Sequence, residues 1–187
     1  MNHQVPLGIL LVLTVAGCRG QPADSSSQIK GGVTMRLTSP ELPEGAEIAV
    51  KFTGDGQDVS PELRWDNVPP GTKSLAVICD DPDAPRKEPW VHWVIYNIPV
   101  GDQAGLSEAI PTQPTFSTGV KQGKNDFGNI GYGGPAPPPG KPHRYYFKLY
   151  ALDTSLTLGE GASKQELLSA MKGHVLGEGQ LMGTYSR

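Results

Sequence analysis

The chain has 187 residues, 24 of them glycine and 18 proline, a share of turn-forming residues that excludes a long helical bundle or coiled coil. At 37% hydrophobic and 19% charged it holds apolar material for one core and lacks the polar excess of a disordered chain, so one globular domain is expected. Lys plus Arg number 16 against 19 Asp plus Glu, and the net charge is −3 with no extended basic run, which argues against a nucleic-acid partner because such binding needs clustered positive charge.

Residues 1–17 contain no Lys, Arg, Asp or Glu, and the apolar stretch from Val5 to Ala16 is shorter than the ~20 residues that span a bilayer. The segment reads as a secretory signal. Val15, Ala16 and Gly17 lead into Cys18, a small-residue run that resembles the lipobox of bacterial lipoproteins, where the Cys is lipidated and becomes the mature N-terminus. The opening Met1-Asn2-His3-Gln4 departs from that pattern in lacking Lys or Arg. Residues 18–32, with Ser25-Ser26-Ser27 and Gly31-Gly32, read as lipidated Cys and tether ahead of a domain at 33–187. The expectation is an exported protein anchored to a membrane of the cell envelope through Cys18, on its periplasmic or extracellular face. Cys79 would then be a lone thiol in the apolar run Leu75-Ala76-Val77-Ile78-Cys79, where it reads as a small buried hydrophobe rather than a nucleophile.

Strands dominate the rest. Val33 to Thr38 and Glu47 to Phe52 alternate apolar and polar residues and suggest an opening pair, with Pro40, Pro43 and Gly45 marking the turn between them. Ser74 to Asp80 and Val91 to Ile98 are nearly continuous apolar runs, as in central strands covered on both faces. Tyr145 to Leu152 is another strand, with Tyr145, Phe147 and Leu149 on one face and Tyr146, Lys148 and Tyr150 on the other. A helix is predicted from Ser163, where Ser163 and Glu166 have capping-box spacing, to Gly173, with Leu167, Leu168 and Met171 as its apolar stripe and His174 as a C-terminal cap. No crossover helix separates the central strands. The predicted fold is therefore mainly β, an antiparallel β-sandwich with a few short helices.

Two loops carry the chemistry. Asp80-Asp81-Pro82-Asp83-Ala84-Pro85 places three carboxylates in a proline-stiffened turn, where such groups serve as turn caps, a cation site or acceptors toward a ligand. Trp90 and His92 follow, sharing one face by period-two alternation, with Val91 and Trp93 on the other. The second loop runs from Gly131 to Pro142, its glycines allowing close backbone approach and its prolines fixing its shape, and delivers His143-Arg144-Tyr145 to the next strand. His143 and Tyr145 share a face, while Arg144 points away and reads as a structural ion pair with Asp80, Asp81 or Asp83. Gly140-Lys141 precedes Pro142 rather than Ser or Thr, which excludes a phosphate loop of the nucleotide-binding kind.

Taken together, Asp81-Pro82-Asp83-Ala84-Pro85, Trp90, His92, Gly133-Gly134-Pro135 and His143-Arg144-Tyr145 resemble the phosphatidylethanolamine-binding protein family, also called Raf kinase inhibitor-like proteins. Val59-Ser60-Pro61-Glu62-Leu63-Arg64-Trp65, Asn125-Asp126-Phe127-Gly128 and Gly183-Thr184-Tyr185 resemble its bacterial YbhB/YbcL branch, so the likeness covers residues 33–187. The resemblance implies a sandwich of a large and a small sheet with an anion pocket at one end that accepts phosphate, acetate or a phosphorylethanolamine headgroup. By residue matching the pocket falls on Asp81, Trp90, His92, Gly134, Pro135, His143 and Tyr145, with Asp83 and Arg144 as structural neighbours. Ala136 departs from the Cys that bacterial members often carry there, which removes thiol chemistry at the rim. The kinase inhibition of the cytosolic animal members does not carry over to an exported lipoprotein.

The residues support the same pocket chemically. A small anion would take hydrogen bonds from His92, His143, Tyr145 and the loop amides, while Asp81 orients an imidazole or receives a ligand ammonium. The leading expectation is non-catalytic binding of a small anionic or phosphorylated ligand, without cofactor or metal. One alternative is an inhibitor or scaffold that holds a protein partner through the same pocket. Another is a metal-dependent hydrolase using His92, His143 and Asp81. A serine hydrolase is disfavoured because no Gly-x-Ser-x-Gly elbow is present.

Overall fold

The computed structural model describes Met1 and residues 32–101 and 104–187. Apart from Met1 and Gly32, the signal at 1–17, Cys18 and the tether lie outside the described residues. From Val33 the strands are, in chain order, β1 (Val33–Thr34), β2 (Arg36–Thr38), β3 (Leu63–Asp66), β4 (Ser74–Asp81), β5 (Trp90–Pro99), β6 (Gly105–Leu106), β7 (Lys121–Gln122), β8 (His143–Leu152) and β9 (Val175–Tyr185), with helix α1 (Lys164–Met171) between the last two. They form a six-stranded sheet in the order β1-β9-β8-β4-β5-β7 and a three-stranded sheet in the order β2-β3-β6. The expected large and small sheets are both present.

The core explains why the central strands read as unbroken apolar runs. One cluster joins Leu37, Leu63, Trp65 and Leu106 of the small sheet to Val77, Cys79, Trp93, Ile95, Phe147 and Leu149 of the large one. The other face of the large sheet is covered as well, by a second cluster in which Ala76, Ile78, Val94 and Tyr96 meet Leu167 and Met171 of α1. With apolar neighbours on both faces, all eight residues of β4 are buried. Cys79 is among them, and burial pushes its thiol well above the ordinary value, in keeping with a packing role.

The opening of the chain folds differently from the expected pair. Val33 to Thr38 is two short strands in different sheets: β1 runs parallel to β9, and β2 is antiparallel to β3. The break is at Met35, whose amide bonds across to Glu178. Glu47 to Phe52 is no strand. Glu47 makes an isolated bridge to Thr184, and the chain then closes a 3₁₀ turn at Val50–Phe52. Ile48 and Phe52 are buried all the same.

Strand β9 went unpredicted because Gly177, Gly179 and Gly183 interrupt its apolar pattern. Those glycines are what lets the N-terminal segment lie against it. A Cβ at Gly177 would sit 2.7 Å from the Val33 carbonyl oxygen, one at Gly179 2.8 Å from that of Met35, and one at Gly183 2.7 Å from the Ile48 side chain. Helix α1 starts at the expected capping box, with Ser163 and Glu166 satisfying each other's backbone amides. Its stripe is narrower than predicted: Leu167 and Met171 are buried, but Leu168 is exposed. At its end the backbone amide of His174, not its side chain, bonds to Met171, and the imidazole turns to Asp153.

Candidate functional site

The Asp-rich turn sits at the end of β4, and its three carboxylates go to different basic partners. Asp80, fully buried, faces α1 and accepts from Lys148 Nζ at 2.9 Å and Lys164 Nζ at 2.5 Å. Asp81 turns to the opposite side, where Oδ2 accepts from His143 Nδ1 at 2.7 Å and Oδ1 from the amide of Asp83 at 2.7 Å. Asp83 makes the two-pronged pair with Arg144, from Nε and Nη2, both at 2.8 Å. The Arg144 guanidinium holds the Asp83 carboxyl below its ordinary value, and the pair ties this turn to the start of β8. The structural reading of Arg144 is thus what the geometry displays.

On β5 the pairing with β4 slips by one residue: Trp93 is opposite Cys79 and Val91 opposite Asp80, leaving His92 as the extra residue of a β-bulge. Simple alternation fails here. Val91 belongs to the cluster under α1 while Trp93 belongs to the core between the sheets, so the two do not share a face as expected. The bulge aims His92 along the core side and into the end of the sandwich. There its Nδ1 lies 2.6 Å from the carbonyl oxygen of Gly133. A carbonyl only accepts, so Nδ1 carries the hydrogen. His92 is 2% exposed, and burial pushes its imidazole below the ordinary value, favouring the neutral ring.

Asp81, Trp90, His92, His143 and Tyr145 line one cavity of about 310 Å³. Its walls are otherwise apolar, from Ala84 and Pro85 of the Asp-rich turn, Phe127, and Ala136, Pro137 and Pro138 of the second loop. Trp90, His92 and Phe127 pack edge to face, with ring centroids 5.3 and 5.4 Å apart, and His92 meets Tyr145 the same way at 5.1 Å. Two donors on side chains that line this cavity have no partner among the described residues: the indole Nε1 of Trp90 and the hydroxyl of Tyr145. Tyr145 is 1% exposed, and burial raises its phenol far above the ordinary value, so the hydroxyl keeps its proton.

Gly134 and Pro135 do not line the cavity. Their backbone is used to build the loop instead: the Gly134 amide donates to Asp58 Oδ1 at 2.6 Å, and the Pro135 carbonyl accepts from Gly54 at 2.8 Å. The Gly133 amide is committed as well, to the His92 carbonyl. Of the loop amides expected to meet an anion, those of Gly133 and Gly134 are therefore already taken, by the His92 carbonyl and by Asp58. A Cβ on Gly134 would stand 2.4 Å from the Phe52 carbonyl oxygen, so the glycine serves that approach and not a ligand.

Sequence reasoning missed the apolar wall. Phe127 is held by Asn125, whose side chain accepts from the amides of Phe127 and Asn129 and donates to Gly131. Asp126 then accepts from the Val91 amide and from Arg86, whose guanidinium lies 5.1 Å from the Trp90 ring. The Asn125-Asp126-Phe127-Gly128 stretch stood out in the sequence only through the family resemblance, and an aromatic among turn-forming residues was the available signal for a wall. The three residues weighed as metal ligands, His92, His143 and Asp81, share the cavity, but among the described residues no set of three or more His, Cys, Asp or Glu side chains is grouped to hold a metal ion.

A six-on-three-stranded sandwich that closes an Asp-His-Tyr cavity with two such loops defines the class. Residues 38–186 match the sequence profile described as "Phosphatidylethanolamine-binding protein", and the chain belongs to that family. It is 53% identical to a UPF0098 protein of Methanothermobacter thermautotrophicus over 82% of this chain and 99% of that one. To the UPF0098 protein YbhB of Escherichia coli it is 43% identical, covering 69% of this chain and 85% of the relative. Among solved structures, E. coli YbcL, described as a member of the mammalian PEBP family, superposes with a TM-score of 0.73 at 33% identity, over 83% of this chain and 99% of YbcL. A putative PEBP homologue of Chlamydia trachomatis gives 0.74 at 40% identity, over 82% and 98%.

Proposed function

We propose that this protein is a non-catalytic binding module for a small anionic or phosphorylated ligand, such as phosphate or a phosphorylethanolamine-like headgroup, and that it works outside the cytoplasm on an anchor at Cys18. The observation that carries the reading is a pair of buried donors without a partner among the described residues, Trp90 Nε1 and the Tyr145 hydroxyl, on side chains that line one cavity with the Asp81–His143 pair. A buried donor without an acceptor is costly, and an anion in the cavity supplies the missing acceptors. His143, fixed by Asp81 through Nδ1, lines the same cavity, where its other ring nitrogen is left for the ligand. The apolar walls strengthen each of these contacts by excluding water. Family membership supports a binding role of this type.

Calorimetric titration of the purified protein with O-phosphorylethanolamine and with inorganic phosphate tests the proposal, with metal content assayed on the same sample. Saturable binding without bound metal, lost in His143→Ala and in Asp81→Ala while both variants stay folded, is the expected result. No binding, or stoichiometric metal, would overturn it.

A further inference from the structure

The cavity's polar atoms are not all of one kind. Trp90 Nε1 can only donate, and the Tyr145 hydroxyl has no acceptor among the described residues, so both ask for ligand oxygens with free lone pairs. His92 asks for the reverse. Its Nδ1–H is spent on the Gly133 carbonyl at 2.6 Å, which leaves Nε2 as the ring's remaining polar atom. In the neutral ring, which burial favours, that atom carries a lone pair and no hydrogen. The His92 ring lines the cavity, and among the described residues Nε2 takes no hydrogen bond. Tyr145 does not supply one, although its ring lies 5.1 Å from the imidazole, because its hydroxyl is itself unpartnered.

We infer that His92 is a specificity-determining acceptor that selects ligands presenting an acidic O–H, the monoanion of a phosphate or phosphonate, over sulfate-type and sulfonate-type anions that have none. This deepens the anion-binding reading of the cavity and rests on it. The monoanion of a phosphate monoester has two unprotonated oxygens for Trp90, Tyr145 and His143, and one O–H for His92 Nε2. A sulfonate of the same shape and charge offers three acceptors, so one of its oxygens meets the His92 lone pair and the buried nitrogen stays unsatisfied. The proton belongs to the phosphoryl group, so the same requirement fits a free phosphate and a phosphomonoester headgroup alike, while a phosphodiester, which has no acidic O–H, falls with the sulfonates.

The decisive comparison uses methylphosphonate and methanesulfonate, which at a pH between the two phosphonate ionisations and above the His92 pKa carry the same charge and differ by one O–H. Calorimetric affinities of the two ions for the wild-type protein should differ about tenfold in favour of methylphosphonate, the cost of leaving one buried acceptor unpaired. In His92→Phe, which keeps a ring in place without a lone pair, the ratio should fall toward one. In Tyr145→Phe, which removes a donor common to both, each affinity should drop while the ratio persists. Equal affinities in the wild type, or a preference for the sulfonate, would overturn the acceptor role and leave the anion cavity standing. A preference that survives in His92→Phe would also overturn it. Failure of the wild type to bind either ion, or inorganic phosphate, would instead remove the anion reading on which it rests.

Discussion

At the scale of single residues, the cavity is a place where burial is used against the ordinary habits of polar groups. His92 is held neutral by desolvation, so its pKa in the folded chain lies below the usual 6.5. The sign follows: a depressed group contributes fully above its unfolded pKa, and that contribution is lost as pH falls through the folded value. Stability should therefore start to decline below about pH 6.5, before the carboxylates titrate, and denaturant melts across a pH series should show that part of the decline missing in His92→Phe. An unchanged profile in the variant would mean that His92 carries no such linkage. Tyr145 makes the complementary case. Its hydroxyl has no partner among the described residues, so Tyr145→Phe should leave the melting temperature unchanged or slightly higher while weakening phosphate binding. A clear loss of stability would show that the hydroxyl is already satisfied without ligand.

At the scale of elements, two loops and one bulge place the site, and each is fixed by contacts that have nothing to do with a ligand. Arg144 and Asp83 clip the turn after β4 to the start of β8. The second loop is pinned through Gly134 and Pro135 to residues 52–58, with backbone so close that a methyl group has nowhere to go. Gly134→Ala should accordingly cost about 1–3 kcal/mol by overpacking, measurable by chemical denaturation, and an alanine variant of wild-type stability would mean the loop yields easily. Helix α1 lies on the other face of the sheet, away from the cavity. Ser163→Ala breaks its capping box and should cost about 1 kcal/mol without changing phosphate affinity. A shift in affinity there would reveal coupling between α1 and the site through Asp80 and Lys164.

At the scale of the whole molecule, the parallel pairing of β1 with β9 fixes where the chain enters the domain. Val33 is opposite Gly177 at one end of β9, whereas the cavity lies where His143 is opposite Tyr185 at the other end. Eight residue steps separate the two points along the strand, roughly 26 Å at ordinary strand rise. A lipid on Cys18 would thus be joined to the domain at the end remote from the ligand site. Cys18→Ser should release the protein from the detergent phase in a partition assay and leave its phosphate affinity within error of wild type. Retention in the detergent phase would sink the lipid anchor, and an altered affinity would sink the independence of the two ends.

Much of this protein was legible in its sequence by itself. The apolar runs at 74–80 and 91–98 announce strands covered on both faces because they are short, rich in Val, Ile and aromatic residues, and almost unbroken by polar positions. The capping box of α1, the face shared by His143 and Tyr145, and the Asp81, Trp90 and His92 side of the site follow from local periodicity and from the family resemblance of the two loops. What only the tertiary structure decided depends on residues far apart in the chain. Strand β9 is hidden in sequence by glycines that exist to admit the N-terminal backbone, and Glu47 to Phe52 alternates like a strand while closing a turn. The bulge at His92 reverses the facing of Val91 and Trp93, which no period-two count can register. Gly134 and Pro135 look like ligand contacts until residues 52–58 pack against them, and Phe127 gives no local sign of its role until it packs edge to face on Trp90 and His92. The division has one physical cause. Burial and periodicity are properties of a segment, whereas the partner that takes a given hydrogen bond is chosen by whichever distant segment the fold brings within reach.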